Sequence, residues 1–136
     1  MPWDVGSAFE AARDSDEAYA VVTGDLSFDP DLLPVVDWAD QVSVPARTDI
    51  PARLTGFSLV FEGFNAPFDA EITLQIGCAG PWCASAAPGP SLAFLKQTRA
   101  GWVLEQRPCG GFYFGDPAAN ITARVKALYA AAQEGR

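Results

Sequence analysis

Three cysteines hold most of the reactive chemistry this sequence has to offer: Cys78 and Cys83, which bracket Ala79-Gly80-Pro81-Trp82, and Cys109 further on. A thiol redox pair uses two intervening residues at a helix start, where the dipole lowers a thiol pKa; four intervening residues with proline-rich flanks do not supply that setting. A zinc site needs four ligands, and three thiols without a single histidine fall short of it. The missing histidine also removes the usual general base and the usual proton switch. A Ser or Cys nucleophile would need Lys or a carboxylate as its activator, a rarer device. The cysteines therefore read first as a structural bridge, and no catalytic residue, metal ligand or cofactor is assigned.

Carboxylates and aromatics are the remaining candidates. Asp14, Asp16, Glu17, Asp29 and Asp31 carry oxygen ligands, but no segment has the spacing of a calcium loop, so they read as solvated turns. No carboxylate pair of the glycosidase kind can be named from spacing. Nine basic against seventeen acidic residues give a net charge of -8, which repels phosphate backbones and anionic lipid heads. Nucleic acid is not an expected partner, and no apolar run approaches the roughly 20 residues of a bilayer-spanning helix, so no membrane insertion is expected either. Among the aromatics, Phe57 and Phe61 read as strand residues of the core. Trp82, beside Pro81 in a proline- and glycine-rich loop, and Trp38 read as a candidate contact surface. Asn120-Ile121-Thr122 matches a glycosylation triplet but falls inside an expected helix.

The elements that must position these residues fit one compact domain over the 136 residues. Ser7 is placed to cap a short helix running to about Asp14, with Ala8, Phe9 and Ala12 as its apolar stripe. Ala18 to Leu26 is β-rich, with Gly24 offering a bend. Prolines 30, 34, 45 and 51 exclude a central strand from residues 27–51. This long excursion is expected to pack back through Leu32, Leu33, Val35, Val36 and Trp38, with a short edge strand at Gln41 to Val44; long ordered loops of this kind are often binding surfaces.

Arg53 to Glu62 reads as a strand with Thr55, Phe57, Leu59 and Phe61 on one side, and Gly63 to Pro67 as a turn. Asp69 to Ile76 alternates cleanly, with Ala70, Ile72, Leu74 and Ile76 facing one way. Gly77 to Pro90 is a second loop. Ser91 to Gln97 and Gly101 to Arg107 form a hairpin around Thr98-Arg99-Ala100. Asp116 as cap and Pro117 as first helical residue announce a terminal helix whose stripe is Ile121, Val125, Leu128 and Ala132. The expected fold is mainly β: a five-stranded antiparallel barrel, with a short helix at the amino end and a helix at the carboxyl end.

The order of these pieces resembles the netrin-like domains, the group that includes the tissue inhibitors of metalloproteinases and bacterial periplasmic relatives. The matching residues are Ala20-Val21-Val22-Thr23-Gly24, Cys83 shortly before Leu92-Ala93-Phe94-Leu95, Gly101-Trp102-Val103-Leu104, and Cys109. Together they span most of the chain outside residues 27–51. The resemblance implies a single OB-fold domain over residues 1–136, an oligonucleotide/oligosaccharide-binding type of barrel stapled by disulfides and used in protein recognition or inhibition. Inhibitory members present an amino-terminal cysteine to the protease metal, whereas here Met1 and Pro2 stand first.

Within that frame the expected bridge is Cys83 with Cys109. By chain entropy, closing that loop would stabilise the fold by roughly 3 to 4 kcal/mol, against about 2 for the tight Cys78 to Cys83 loop. Cys78 is then a thiol that is free or has lost its partner. The expected function is a non-catalytic, exported, protein-binding module, periplasmic or secreted with its signal peptide removed. The alternatives are a thiol-dependent redox sensor or enzyme using Cys78, and carbohydrate or oligonucleotide binding on the barrel face.

Overall fold

The computed structural model describes residues 3–108 and 110–134. Along the chain come α1 (Val5–Asp14), β1 (Tyr19–Phe28), β2 (Arg47–Val60), β3 (Gly63–Ala79), β4 (Trp82–Cys83), β5 (Gly89–Thr98), β6 (Gly101–Gln106), β7 (Tyr113–Gly115) and α2 (Ala119–Glu134). The fold is mainly β with a short amino-terminal helix and a carboxyl-terminal one. The described residues form seven strands rather than five, because two short ones, β4 and β7, attach to β3 and β5.

The other five strands pair in a ring, β1–β2–β3–β6–β5 and back to β1. The ring is uneven: β2 and β3 pair along nearly their whole lengths, whereas β5 meets β6 only from Lys96 to Thr98. It is also not wholly antiparallel. β6 runs parallel to β3, from Ile72 opposite Trp102 to Ile76 opposite Gln106. Parallel neighbours need a crossover of a dozen or more residues, and β4, β5 and their connections provide it.

Of the three prolines inside strands, Pro90 lies near the start of β5 while Pro51 and Pro67 lie in β2 and β3, and β2 begins at Arg47, within the stretch expected to hold no central strand. Pro51 precedes the stretch of β2 that pairs with β1, which begins at Ala52. Pro67 precedes the stretch of β3 that pairs with β6, which begins at Ile72. Each therefore sits where its strand has a partner on one side only, and its missing N–H interrupts no second ladder. The edge strand expected at Gln41 to Val44 is instead a 3-10 turn, Gln41–Ser43, and a second such turn spans Pro30–Leu32.

Alternation in β2 buries Ile50, Ala52 and Leu54, then changes phase at a register shift between Ser58 and Leu59. Beyond Ser58 the strand no longer pairs with β1, whose first residues continue against β5 alone. Phe61, at the turn between β2 and β3, is 68% exposed, and Phe57, on the outward phase of β2 with Arg53 and Thr55, is 48% exposed, although both are expected in the core. Where the sequence alternates most cleanly the expectation holds: Ile72, Leu74 and Ile76 are buried. β5 is buried continuously from Ser91 to Leu95, as suits a strand between two neighbours with helices over one face.

Both helices pack on this ring. α1 starts two residues before Ser7: Asp4 is its cap, accepting the Ser7 N–H at 2.9 Å, while the Ser7 hydroxyl takes the Asp4 N–H at 3.4 Å. Ala8 and Phe9 are buried beneath it. α2 begins at Ala119, so Asp116 precedes it in a left-handed turn (φ 44°) rather than capping it. Its expected stripe does face inward, with Val125 fully buried and Ile121, Leu128 and Ala132 packed at its edges. Arg124 Nη1 on α2 meets Asp4 Oδ2 at 3.0 Å, joining the two helices. No helix among the described residues is long and apolar enough to cross a membrane.

Candidate functional site

The cysteine loop is a β-hairpin that continues β3. β3 runs on to Ala79, Gly80 turns the chain with φ 61°, half-buried Pro81 follows, and β4 returns with Trp82 opposite Ala79 and Cys83 opposite Cys78. The Ala84 N–H donates to the Gly77 carbonyl at 3.0 Å, the outer bond that flanks a non-hydrogen-bonded pair. That is the closer of the two antiparallel spacings, and the Cα atoms of Cys78 and Cys83 stand 4.0 Å apart. Their sulfurs are bonded to each other at 2.10 Å.

The bridge is therefore Cys78–Cys83 and not Cys83 with Cys109; Cys109 lies outside the described residues. Loop entropy ranks possible bridges by length, but register decided this one by setting two cysteines face to face. Cys78 is accordingly neither free nor without a partner, and the nucleophile needed for a thiol-enzyme reading is occupied.

The second component is the excursion between β1 and β2. Asp29 Oδ1 accepts the Asp31 N–H at 2.9 Å and Pro30 opens the first turn, as a helix-start proline does. Asp37 Oδ1 accepts the Ala39 N–H at 2.9 Å, the Gln41 side-chain amide donates to the Trp38 carbonyl at 3.2 Å, and the Ser43 hydroxyl donates to Asp40 Oδ2 at 2.7 Å. These short-range bonds order the segment without a core of its own. At its end the Ala46 carbonyl accepts the Cys78 N–H at 2.9 Å, anchoring the excursion to the root of the disulfide hairpin.

The two components meet at Trp38 and Trp82. Their rings pack edge to face with centroids 5.7 Å apart, and both remain mostly exposed, at 58% and 66%. The excursion does not pack back as expected. Leu33 is the residue that reaches the core, while Leu32, Val35 and Val42 stay exposed, Val35 and Val42 almost completely. Val36 is half-buried as well, and the turns between are held by the short hydrogen bonds within the loop.

A cluster that spacing alone did not show lies where β1, β5 and β6 converge. Lys96 Nζ is 3.1 Å from Glu105 Oε1 and 3.9 Å from Glu17 Oε1, with Tyr19 opposite Lys96 in the sheet. Burial pulls the Lys96 ammonium down, but the bond and charge of Glu105, with Glu17, outweigh it and hold its pKa above the usual value. Burial, then the Glu105 charge, pushes the Tyr19 phenol up. Both shifts favour the protonated form, and the Lys96–Glu105 pair ties β5 to β6. Lys96 and Glu105 come together in the β5–β6 hairpin, and the β1–β5 register adds Tyr19 and, just before it, Glu17.

An open groove of about 560 Å³ crosses the sheet between Ser27, Arg53, Glu71, Thr73 and Trp102. Its one guanidinium is already engaged, with Arg53 Nε 2.8 Å from Asp69 Oδ1. Among the described residues, no group of three or more His, Cys, Asp or Glu side chains is placed to hold a metal ion. No family model, no curated protein and no solved structure matches this chain.

Proposed function

We propose that this protein is a non-catalytic binding module that works by contacting another protein through the surface built on Trp38 and Trp82. One observation carries the reading: two large aromatic side chains from segments more than forty residues apart are held against each other and left in solvent. Scattered apolar residues need no account, but a contiguous exposed apolar surface, fixed by a disulfide hairpin on one side and ordered turns on the other, is what protein interfaces use. The ring order with its parallel β3–β6 contact supports an OB-type barrel, and with it the netrin-like kinship suggested by the residue order. Export to the periplasm or beyond belongs to the same reading, and the Cys78–Cys83 bond is compatible with an oxidising compartment.

The test places a photo-cross-linking residue at Val42 and exposes the protein to envelope and secreted extracts of its source organism. The expected result is a discrete cross-linked protein, identified by mass spectrometry, whose purified form binds the wild type and not a Trp38→Ala, Trp82→Ala double variant. Capture that is indifferent to both substitutions counts against the proposal. The open groove favours a second reading, carbohydrate binding on the sheet face beside Trp102. Protection of Trp102 fluorescence from quenching by oligosaccharides, lost in Glu71→Gln, would support it.

A further inference from the structure

We infer that the Trp38–Trp82 surface takes a cationic protein segment, one in which Lys or Arg side chains alternate with apolar ones. This rests on the contact role proposed above and names the chemistry of its partner. Between Gly24 and Ala46 the chain carries Asp25, Asp29, Asp31, Asp37 and Asp40 and no Lys or Arg. Asp37 and Asp40 flank Trp38 directly, and both are exposed. Each uses a carboxylate oxygen in a local turn of the segment that carries Trp38. The next basic residue along the chain, Arg47, is paired with Asp49 at 3.2 Å.

Acidic residues in the same turns as an exposed indole suit a cation in two ways. The carboxylates attract it over a distance, and an indole face binds an ammonium or guanidinium group in contact. The edge-to-face packing of Trp38 on Trp82 still leaves indole faces open to solvent, as their exposures require. A small cation alone would leave much of the two exposed indoles uncovered, and Val35 and Val42 on the same excursion are exposed as well, so an occupant that also brings apolar side chains fits better. A second copy of this chain would bring the same aspartates and a net charge of -8, and like charges facing each other oppose that pairing. Anionic lipid and nucleic acid are opposed for the same reason.

The experiment titrates the purified oxidised protein with two synthetic peptides, one alternating lysine with leucine and one with glutamate in each lysine position, and follows tryptophan fluorescence. Circular dichroism first establishes that every variant is folded. The lysine peptide is expected to bind and the glutamate peptide not. Asp37→Asn with Asp40→Asn, and separately Trp38→Ala with Trp82→Ala, should each weaken the lysine peptide by about tenfold or more. Glu10→Gln with Asp16→Asn, which removes two charges at the α1 side, should leave it within about twofold.

No binding of the lysine peptide, or equal weakening by the α1-side pair, overturns the inference. Binding of both peptides with the same dependence on the tryptophans overturns the cationic preference and leaves the contact role standing. Binding indifferent to the tryptophans overturns the preference and tells against the contact role too.

Discussion

Asp4 is a capping residue and an ion-pair partner at once. The Ser7 backbone N–H, then the Arg124 guanidinium and the Ser7 hydroxyl, lower its carboxyl pKa from 3.8 to about 2. Since the folded value lies below the unfolded one, the contribution to stability is complete above the unfolded pKa and is lost as pH falls through about 2. The thermal midpoints of wild type and Asp4→Asn should therefore differ most at neutral pH, and the gap should close on acidification between 3.8 and about 2. Asp69, held low by Arg53 and then Thr55, loses its contribution in the same direction. At the opposite extreme stand Trp38 and Trp82, whose exposure predicts little role in holding the fold. Either alanine variant should cost no more than about 1.5 kcal/mol by chemical denaturation. Each alone should remove the near-ultraviolet circular dichroism of the coupled indoles.

At the scale of elements, the β3–β4 hairpin is the unit that places Trp82, and its disulfide is the unit's constraint. Cys78→Ser with Cys83→Ser should lower stability by about 2 kcal/mol, the modest value expected for so short a loop. Far-ultraviolet dichroism should be kept while the indole coupling disappears. A full collapse of the sheet on reduction would mean that the hairpin matters more to the fold than its place at the end of β3 implies. The β1–β2 ladder has a tighter constraint. Gly24 faces Gly56, and a Cβ on either would clash with the backbone across the ladder, Gly24 with the Thr55 carbonyl and Gly56 with the Thr23 carbonyl. Gly24→Ala and Gly56→Ala should each destabilise by more than about 1 kcal/mol in urea titrations.

Local period made some of these elements legible in the sequence. The alternation from Ala70 to Ile76 and the stripe from Ile121 to Ala132 are each set within one element, so reading them needed no tertiary information. Gly24 reads in the sequence as a bend, whereas β1 runs through it in unbroken register opposite Gly56, a pairing no local pattern announces. Phe57 points outward because it shares the phase of Arg53 and Thr55, opposite to buried Ile50, Ala52 and Leu54, whereas the register shift puts Leu59, of the same parity, inside. The partner of Cys83 went astray because loop length is a property of the unfolded chain, whereas the hairpin register is a property of the folded one. For the contact surface, Trp38 and Trp82 were each singled out by their turn-rich surroundings, yet nothing local says that they touch. The apolar residues around Trp38 even pointed the wrong way, toward burial, since hydrophobicity does not say whether a surface waits for the protein's own body or for another's.

For the molecule as a whole, the ring is closed by its last-made strands. β1, β2 and β3 form a meander through consecutive antiparallel pairings, and β5 and β6 then join β1 to β3. During synthesis the first three strands emerge with nothing yet to seal either flank, so each nascent chain passes through a stage with two unmatched rows of amide and carbonyl groups. A fragment ending at residue 88 should accordingly self-associate into thioflavin-binding material despite its acidic excess, and a monomeric, dispersed fragment would contradict this account. The parallel seam between β3 and β6 thus obliges the nascent protein to be chaperoned, or to finish quickly, before its open borders find a neighbour's.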